Sequence, residues 1–191
     1  MSLITKEKML IDQFLPEYQF TERHDIEILS SVDRVYKLVR SLDVSRSRPI
    51  QWLFKLRGLP LSALTLEGLR KIGFAVLGEI PNQELLLGIV GRFWTLKGGL
   101  QVIDAEGFKS FNKEGYAKAV CGFHLRSRTE TISQIVTETR IHCLDEQSFR
   151  RFRVYWIFIG PFSAWIRREA LRIIKKEAER KNSLQASTVP G

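Results

Sequence analysis

Four charged side chains offer the clearest chemistry in this chain. Glu84 opens an apolar run, Glu84-Leu85-Leu86-Leu87-Gly88-Ile89-Val90-Gly91, and Arg92 and Trp94 fall on its side by even spacing. Glu138 and Arg140 share one side of a second strand-like run, residues 131–143. If those sides look inward, the four charges form a buried ionic network or orient the polar group of a ligand. A carboxylate held in apolar surroundings beside a substrate would also serve as general acid or base, and Glu84 and Glu138 are the candidates. The plainer reading is that these charges face water or neutralise one another. Ile135, Thr137, Thr139 and Ile141, on the alternate side, suit an interior equally well, so periodicity leaves the choice open.

Other chemistries find little support. His24, His124 and His142 stand far apart in sequence, and neither His-x-x-x-His nor Cys-x-x-Cys occurs, so no metal site and no cofactor is expected. His124, between Phe123 and Leu125, reads as a surface residue of a strand. Gly88-x-x-Gly91 lies inside a strand-like run without a following helix, which is not a phosphate-binding loop. The Gly-x-Ser-x-Gly signature of a serine nucleophile is missing.

The elements that must position these groups follow from periodicity. Residues 6–15 suggest a short helix stopped by Pro16, and residues 18–29 alternate as a first strand. Ser30-Ser31-Val32-Asp33 reads as a capping box for a helix bearing Val32, Val35, Tyr36 and Val39. Residues 49–58 suggest a second helix closed by Gly58 and Pro60. Residues 73–80 and 83–94 then read as strands joined tightly at Pro81-Asn82. A turn of helix near 105–111 precedes two long strands, 116–126 and 131–143. From 149 to 181 the chain reads as a long amphipathic helix, interrupted once at Gly160-Pro161. Its apolar stripe includes Phe149, Phe152, Trp156 and Ile159, then Ile166, Ala170, Ile173 and Ile174. Phe152, Trp156 and Ile159 are the residues expected to border any cavity beneath it. Strands grouped together, with helices before and after, argue for α+β.

The 191 residues, 44% hydrophobic and 27% charged, suit one ordinary globular domain, here 1–182 with a lead-in over 1–17 and a disordered polar tail over 183–191. Of the net charge of +9, six units fall between Glu146 and Asn182, where ten Lys or Arg meet four Glu. Arg167, Arg168, Arg172, Lys175 and Lys176 form a solvated basic face that would also suit peripheral contact with an anionic membrane. Nucleic acid is not the expected partner, because the aromatic residues fall on the opposite, inward stripe rather than among the basic ones. A hairpin turning near Arg128 sets Cys121 opposite about residue 136 and Cys143 opposite about residue 114. The thiols are then roughly 23 Å apart, beyond any disulfide, which predicts free cysteines and a cytoplasmic location. No apolar stretch reaches the ~20 residues of a spanning helix.

In element order and local wording the chain resembles the START-like helix-grip superfamily that includes polyketide cyclases and pollen allergens (SRPBCC), in the manner of its uncharacterised bacterial members. The passages are Leu56-Arg57-Gly58-Leu59-Pro60, the run 84–91, Thr137-Glu138-Thr139-Arg140, Tyr155-Trp156, Pro161 and Ile166-Arg167-Arg168. The resemblance implies a curved antiparallel sheet gripping a long C-terminal helix around an internal cavity. It implies a small hydrophobic or amphipathic ligand, lipid-like or polyketide-like, with Glu84, Arg92, Trp94, Glu138, Arg140, Phe152, Trp156 and Ile159 as the lining to examine. Two alternatives stand beside transport: a cyclase- or dehydratase-type enzyme working through a cavity carboxylate, and a non-enzymatic interaction protein whose cavity is filled by its own side chains.

Overall fold

The computed structural model describes residues 9–43, 47, 51, 65–95 and 98–186, with side chains as far as 180. Its elements are α1 (Leu10–Phe14), β1 (Phe20–Ile28), α2 (Val32–Arg40), α3 (Leu66–Lys71), β2 (Ala75–Ile80), β3 (Glu84–Gly91), α4 (Ala105–Ser110), β4 (Ala117–Ser127), β5 (Ser133–Cys143) and α5 (Glu146–Ala186). The five strands make one curved antiparallel sheet in the order β1-β5-β4-β3-β2. The long C-terminal helix α5 crosses one face, giving the α+β helix-grip arrangement. Of the helix expected over 49–58, Gln51 is described and is helical; the rest, with Trp52, Phe54 and the run 56–60, lies outside the described residues.

Side-chain alternation explains the two faces. Register places Leu85, Phe123, Thr137 and His24 in one row, and Leu87, Cys121, Thr139 and Glu22 in the next. These rows belong to the face under α5. The alternate residues, including Leu86, Gly122, Glu138 and Val120, point to the other face, which α1 and α4 cover with Ile11, Leu15 and Phe108. Asn82 takes the left-handed conformation (φ 63°) that a tight β2–β3 connection requires. At Gly88 a Cβ would stand 2.4 Å from Leu77 Cδ1, so any larger residue there would push that leucine from its place across the strand.

α5 runs alongside β1. Near its start, Phe152 lies 4.9 Å from Phe20, ring to ring. Near its end, Lys175 Nζ donates to the Glu27 carbonyl at 2.7 Å, and Leu29 N–H donates to Glu179. Asp145 caps the helix: Oδ1 accepts from Ser148 N–H at 2.9 Å, and Oδ2 accepts from Gly115 N–H at 2.6 Å. Burial alone would raise the Asp145 pKa, but these hydrogen bonds hold it below the usual carboxylate value.

Several expectations need correction. α5 is one helix of 41 residues, continuous through Pro161. Pro161 and its neighbours Ile157, Phe158 and Phe162 are exposed, so water can satisfy the carbonyl that proline leaves unpaired. The helix also extends through 183–186, within the expected disordered tail. The β4–β5 turn is centred on Glu130, not Arg128, so Cys121 faces Thr139 and Cys143 faces Ala117. The thiols are still four residues out of register, roughly 13 Å at 3.3 Å per residue, and both are free. The capping box at Ser30-Ser31 does not form. Ser31 makes no side-chain cap, and Asp33 pairs with Lys37 at 2.7 Å.

Candidate functional site

The inward stripe of α5 changes character along its length. Phe149, Phe152 and Trp156 are bulky at one end, and Leu171, Ile174 and Ala178 close the other. Gly160, Ser163 and Arg167 stand between them at three- and four-residue spacing. No α5 residue from Arg153 to Glu169 is fully buried, whereas Phe152 and Leu171 are each 2% exposed. The Trp156 ring lies against Gly160, 3.3 Å from where a Cβ would stand, and bounds this middle stretch on one side.

Beneath it the sheet is polar. Arg167 Nη1 donates to Cys121 Sγ at 2.8 Å, fixing the helix over the row Leu87, Cys121, Thr139, Glu22. In the next row, His24 faces Thr137, and His24 Nε2 lies 2.8 Å from Glu22 Oε1. Both side chains of that pair are mostly covered, at 22% and 12% exposed. Four atoms in this layer are buried without a hydrogen-bond partner among the described residues: Glu22 Oε2, Thr137 Oγ1, Thr139 Oγ1 and Arg167 Nε. Each costs about 1–3 kcal/mol if it stays unpaired, against a total stability of about 5–15 kcal/mol for a typical domain. Such a concentration fits groups held ready for water or a guest molecule. Chemically the layer offers a donor at Arg167, two hydroxyls that donate or accept, and an acceptor at Glu22 backed by an imidazole.

The eight residues singled out from the sequence divide between three places. Trp94, Phe152 and Trp156 do come together under α5. Phe152 stacks on Trp156 at 5.5 Å and meets Trp94 edge-on at 6.3 Å, with Phe93 and Tyr155 around them. Ile159 is half-buried on the same helix. Glu84, Glu138 and Arg140 lie on the opposite face, beneath α1, and do not meet the helix aromatics. Register decides this: Thr137 and Thr139, not Glu138 and Arg140, point toward α5. Arg92 lies past the end of β3, exposed, its guanidinium 4.5 Å over the Tyr116 ring. Because β3 ends at Gly91, Trp94 leaves the side predicted by even spacing.

The charges beneath α1 are saturated by the chain's own lead-in. Glu84 accepts from Leu10 N–H at 2.7 Å and meets His124 Nδ1 at 3.1 Å, while Arg126 donates to His124 Nε2. His124 is therefore a half-buried partner of Glu84 and not a free surface residue. Arg140 binds Glu138 at 2.7 Å and Asp12 at 2.8 Å, and donates to the Leu15 carbonyl. Burial opposes the Arg140 charge, but these carboxylates outweigh it and raise its pKa. The hollow left beside Glu84, His124 and Glu138 measures about 20 Å³, room for about one water.

A larger hollow of about 370 Å³ opens at the β2–β3 edge, floored by Leu66, Val76 and Leu85 and rimmed by Arg40, Glu67, Arg70 and Glu79. Arg40 pairs with Glu79 at 3.2 Å, and Tyr36 donates to the same carboxylate. Burial, then that hydrogen bond, pushes the Tyr36 phenol up to about 12. Cys143, deep between Ala117 and Phe152, is pushed up to about 12 by burial and then by Asp145, which makes it a poor nucleophile.

The predicted basic face is also divided. Arg167 turns inward, Arg172 pairs with Glu169 at 3.5 Å, and Lys175 is held by Glu27 and Glu179. Arg168 and Lys176 remain exposed. Among the described residues no cluster of three His, Cys, Asp or Glu could hold a metal ion, and no helix is long and apolar enough to cross a membrane.

Comparison with known proteins adds a single likeness in structure. No family model and no curated protein sequence matches the chain. Among solved structures, norcoclaurine synthase from Thalictrum flavum, in complex with dopamine and hydroxybenzaldehyde, matches at 14% identity and a TM-score of 0.32, covering 100% of this chain and 99% of that one. The fold assignment rests on strand order and the placement of α5, independent of that likeness.

Proposed function

We propose that this chain is a START-like binding protein that holds a small amphipathic molecule between the middle of α5 and the sheet. The observation that carries this reading is the coincidence of two features. Gly160 and Ser163, small residues on the inward stripe of α5, lie over a part of that sheet face where Glu22, Thr137, Thr139 and Arg167 each keep a buried polar atom without a partner among the described residues. A guest would place its polar group among Arg167, Thr139, Thr137 and Glu22, and its apolar body along Trp156, Phe123 and Leu87. A hydroxyl meets the requirements of the layer, since it can accept from Arg167 and donate to Glu22. Burial of an apolar body supplies the affinity, at about 25 cal/mol per Å², while the polar groups fix orientation. Glu84, bound to Leu10 N–H, and Glu138, bound to Arg140, play no part; the carboxylate in the proposed site is Glu22. Free thiols at Cys121 and Cys143 fit a reducing, cytoplasmic setting.

The test uses 8-anilinonaphthalene-1-sulfonate, whose sulfonate can accept from Arg167 and whose amine can donate to Glu22. Saturable one-to-one fluorescence enhancement is expected. Arg167→Met and Thr139→Val should each weaken it about tenfold, the effect of losing roughly 1.4 kcal/mol, while Glu84→Gln leaves it unchanged. Equal affinity in all four proteins would refute the site.

A further inference from the structure

The outward side of α5 carries a second feature that ligand binding does not use. Val154, Ile157, Phe158 and Phe162 are 58%, 66%, 68% and 45% exposed. Their spacing of three and four makes one continuous stripe on the helix surface, with Pro161 between them. Between Gln147 and Arg168 the chain contains five arginines and no Asp or Glu. Arg167 points inward, but Arg150, Arg151, Arg153 and Arg168 are exposed and stand around or beyond the two ends of the stripe. Arg153 reaches along the helix over the Phe149 ring at 6.0 Å, Arg150 is engaged by Glu146, and Arg151 and Arg168 meet no carboxylate among the described residues.

We infer that this stripe docks the protein on an anionic lipid surface. Aromatic and branched side chains would enter the boundary between headgroups and acyl chains, while the arginines reach their phosphates. A second copy of the chain fits less well. The four side chains offer on the order of 400 Å², about half of what each partner gives a stable interface, and pairing two stripes would bring like charges together.

Sedimentation of the full chain with phosphatidylcholine vesicles, with and without about one-third phosphatidylserine, tests this. The protein should pellet only with the anionic vesicles and leave them as salt rises from about 0.1 to about 0.5 M. Ile157→Asp with Phe158→Asp, and separately Arg151→Glu with Arg168→Glu, should each lower partitioning more than tenfold. Thermal melting should remain that of the wild type, because all four positions face outward. Equal pelleting with neutral vesicles, or variants that pellet like the wild type, overturns the inference. So does a protein that ignores vesicles, whether it is a monomer or a dimer dissolved by the aspartate variants; the dimer would mark the stripe as a contact between copies.

Discussion

The stretch of sheet under α1 and the stretch under the middle of α5 treat buried polarity in opposite ways. Under α1 the charges that sequence spacing picks out are matched: Asp12 and Glu138 bind Arg140, and Leu10 N–H and His124 bind Glu84. Under α5, Glu22, Thr137, Thr139 and Arg167 each keep a buried atom without a partner among the described residues. A saturated network holds a lead-in segment to the sheet and has nothing left to offer a ligand. An unsaturated layer costs stability in the empty protein and repays it on binding. Buried polar groups therefore divide by whether their bonding is complete, more than by whether they are charged.

Breaking the ionic network under α1 should be far more damaging than breaking the polar layer under α5. Arg140→Met strands Glu138 and Asp12 and is expected to cost about 3–5 kcal/mol in denaturant unfolding, as loss of one partner from a buried ionic network does. Arg167→Met, a like change on the other face, should cost less than about 1 kcal/mol, because it removes an unpartnered group along with a charge. Equal losses would erase the distinction between the faces. Phe152→Ala, at the dry end of the α5 face, should cost about 3–5 kcal/mol, since its ring packs against five other aromatic rings. Thr139→Val should be neutral or slightly stabilising, and a clear loss would mean the hydroxyl is already satisfied.

The smallest effect concerns the cap at Asp145. Asp145→Ala should cost about 1 kcal/mol near neutral pH. The folded-state pKa lies below the unfolded one, so the contribution is complete above the ordinary carboxylate range and lost as pH falls through the depressed value. Wild type and variant should therefore converge in stability as pH falls below the depressed value, and a constant gap would show that the cap does not depend on the charge.

Much of the fold could be read from periodicity. The strands at 73–80, 83–94, 116–126 and 131–143 and the long final helix all recur within a few residues of their observed bounds. Pro161 misled, because a proline on the wet side of a packed helix removes one hydrogen bond without ending the helix. The site was harder to see, since both alternating sides of residues 131–143 carry residues that suit an interior, and only pairing with β1 and β4 selects one. A weaker signal was present. Phe20, Glu22, His24, Ile26 on β1 and Ile135, Thr137, Thr139, Ile141 on β5 both run apolar, polar, polar, apolar. The inward stripe of α5 repeats the pattern, with Gly160, Ser163 and Arg167 between bulky ends. The sequence assigns Arg167 to the exposed basic face because its neighbours are basic, and its inward direction depends on where the uninterrupted helix places it.

The sharpest test is to fill the space. By spacing, Ser163 falls on the inward stripe of α5, about two turns from both Trp156 and Ala170, and Ser163→Trp puts an indole where the guest would sit. If a hollow is there, the variant should lose binding of 8-anilinonaphthalene-1-sulfonate while its unfolding free energy stays within about 1 kcal/mol of the wild type. If the interior is already packed, the same change should cost about 1–3 kcal/mol, as overfilling a core does, and leave probe binding as it was.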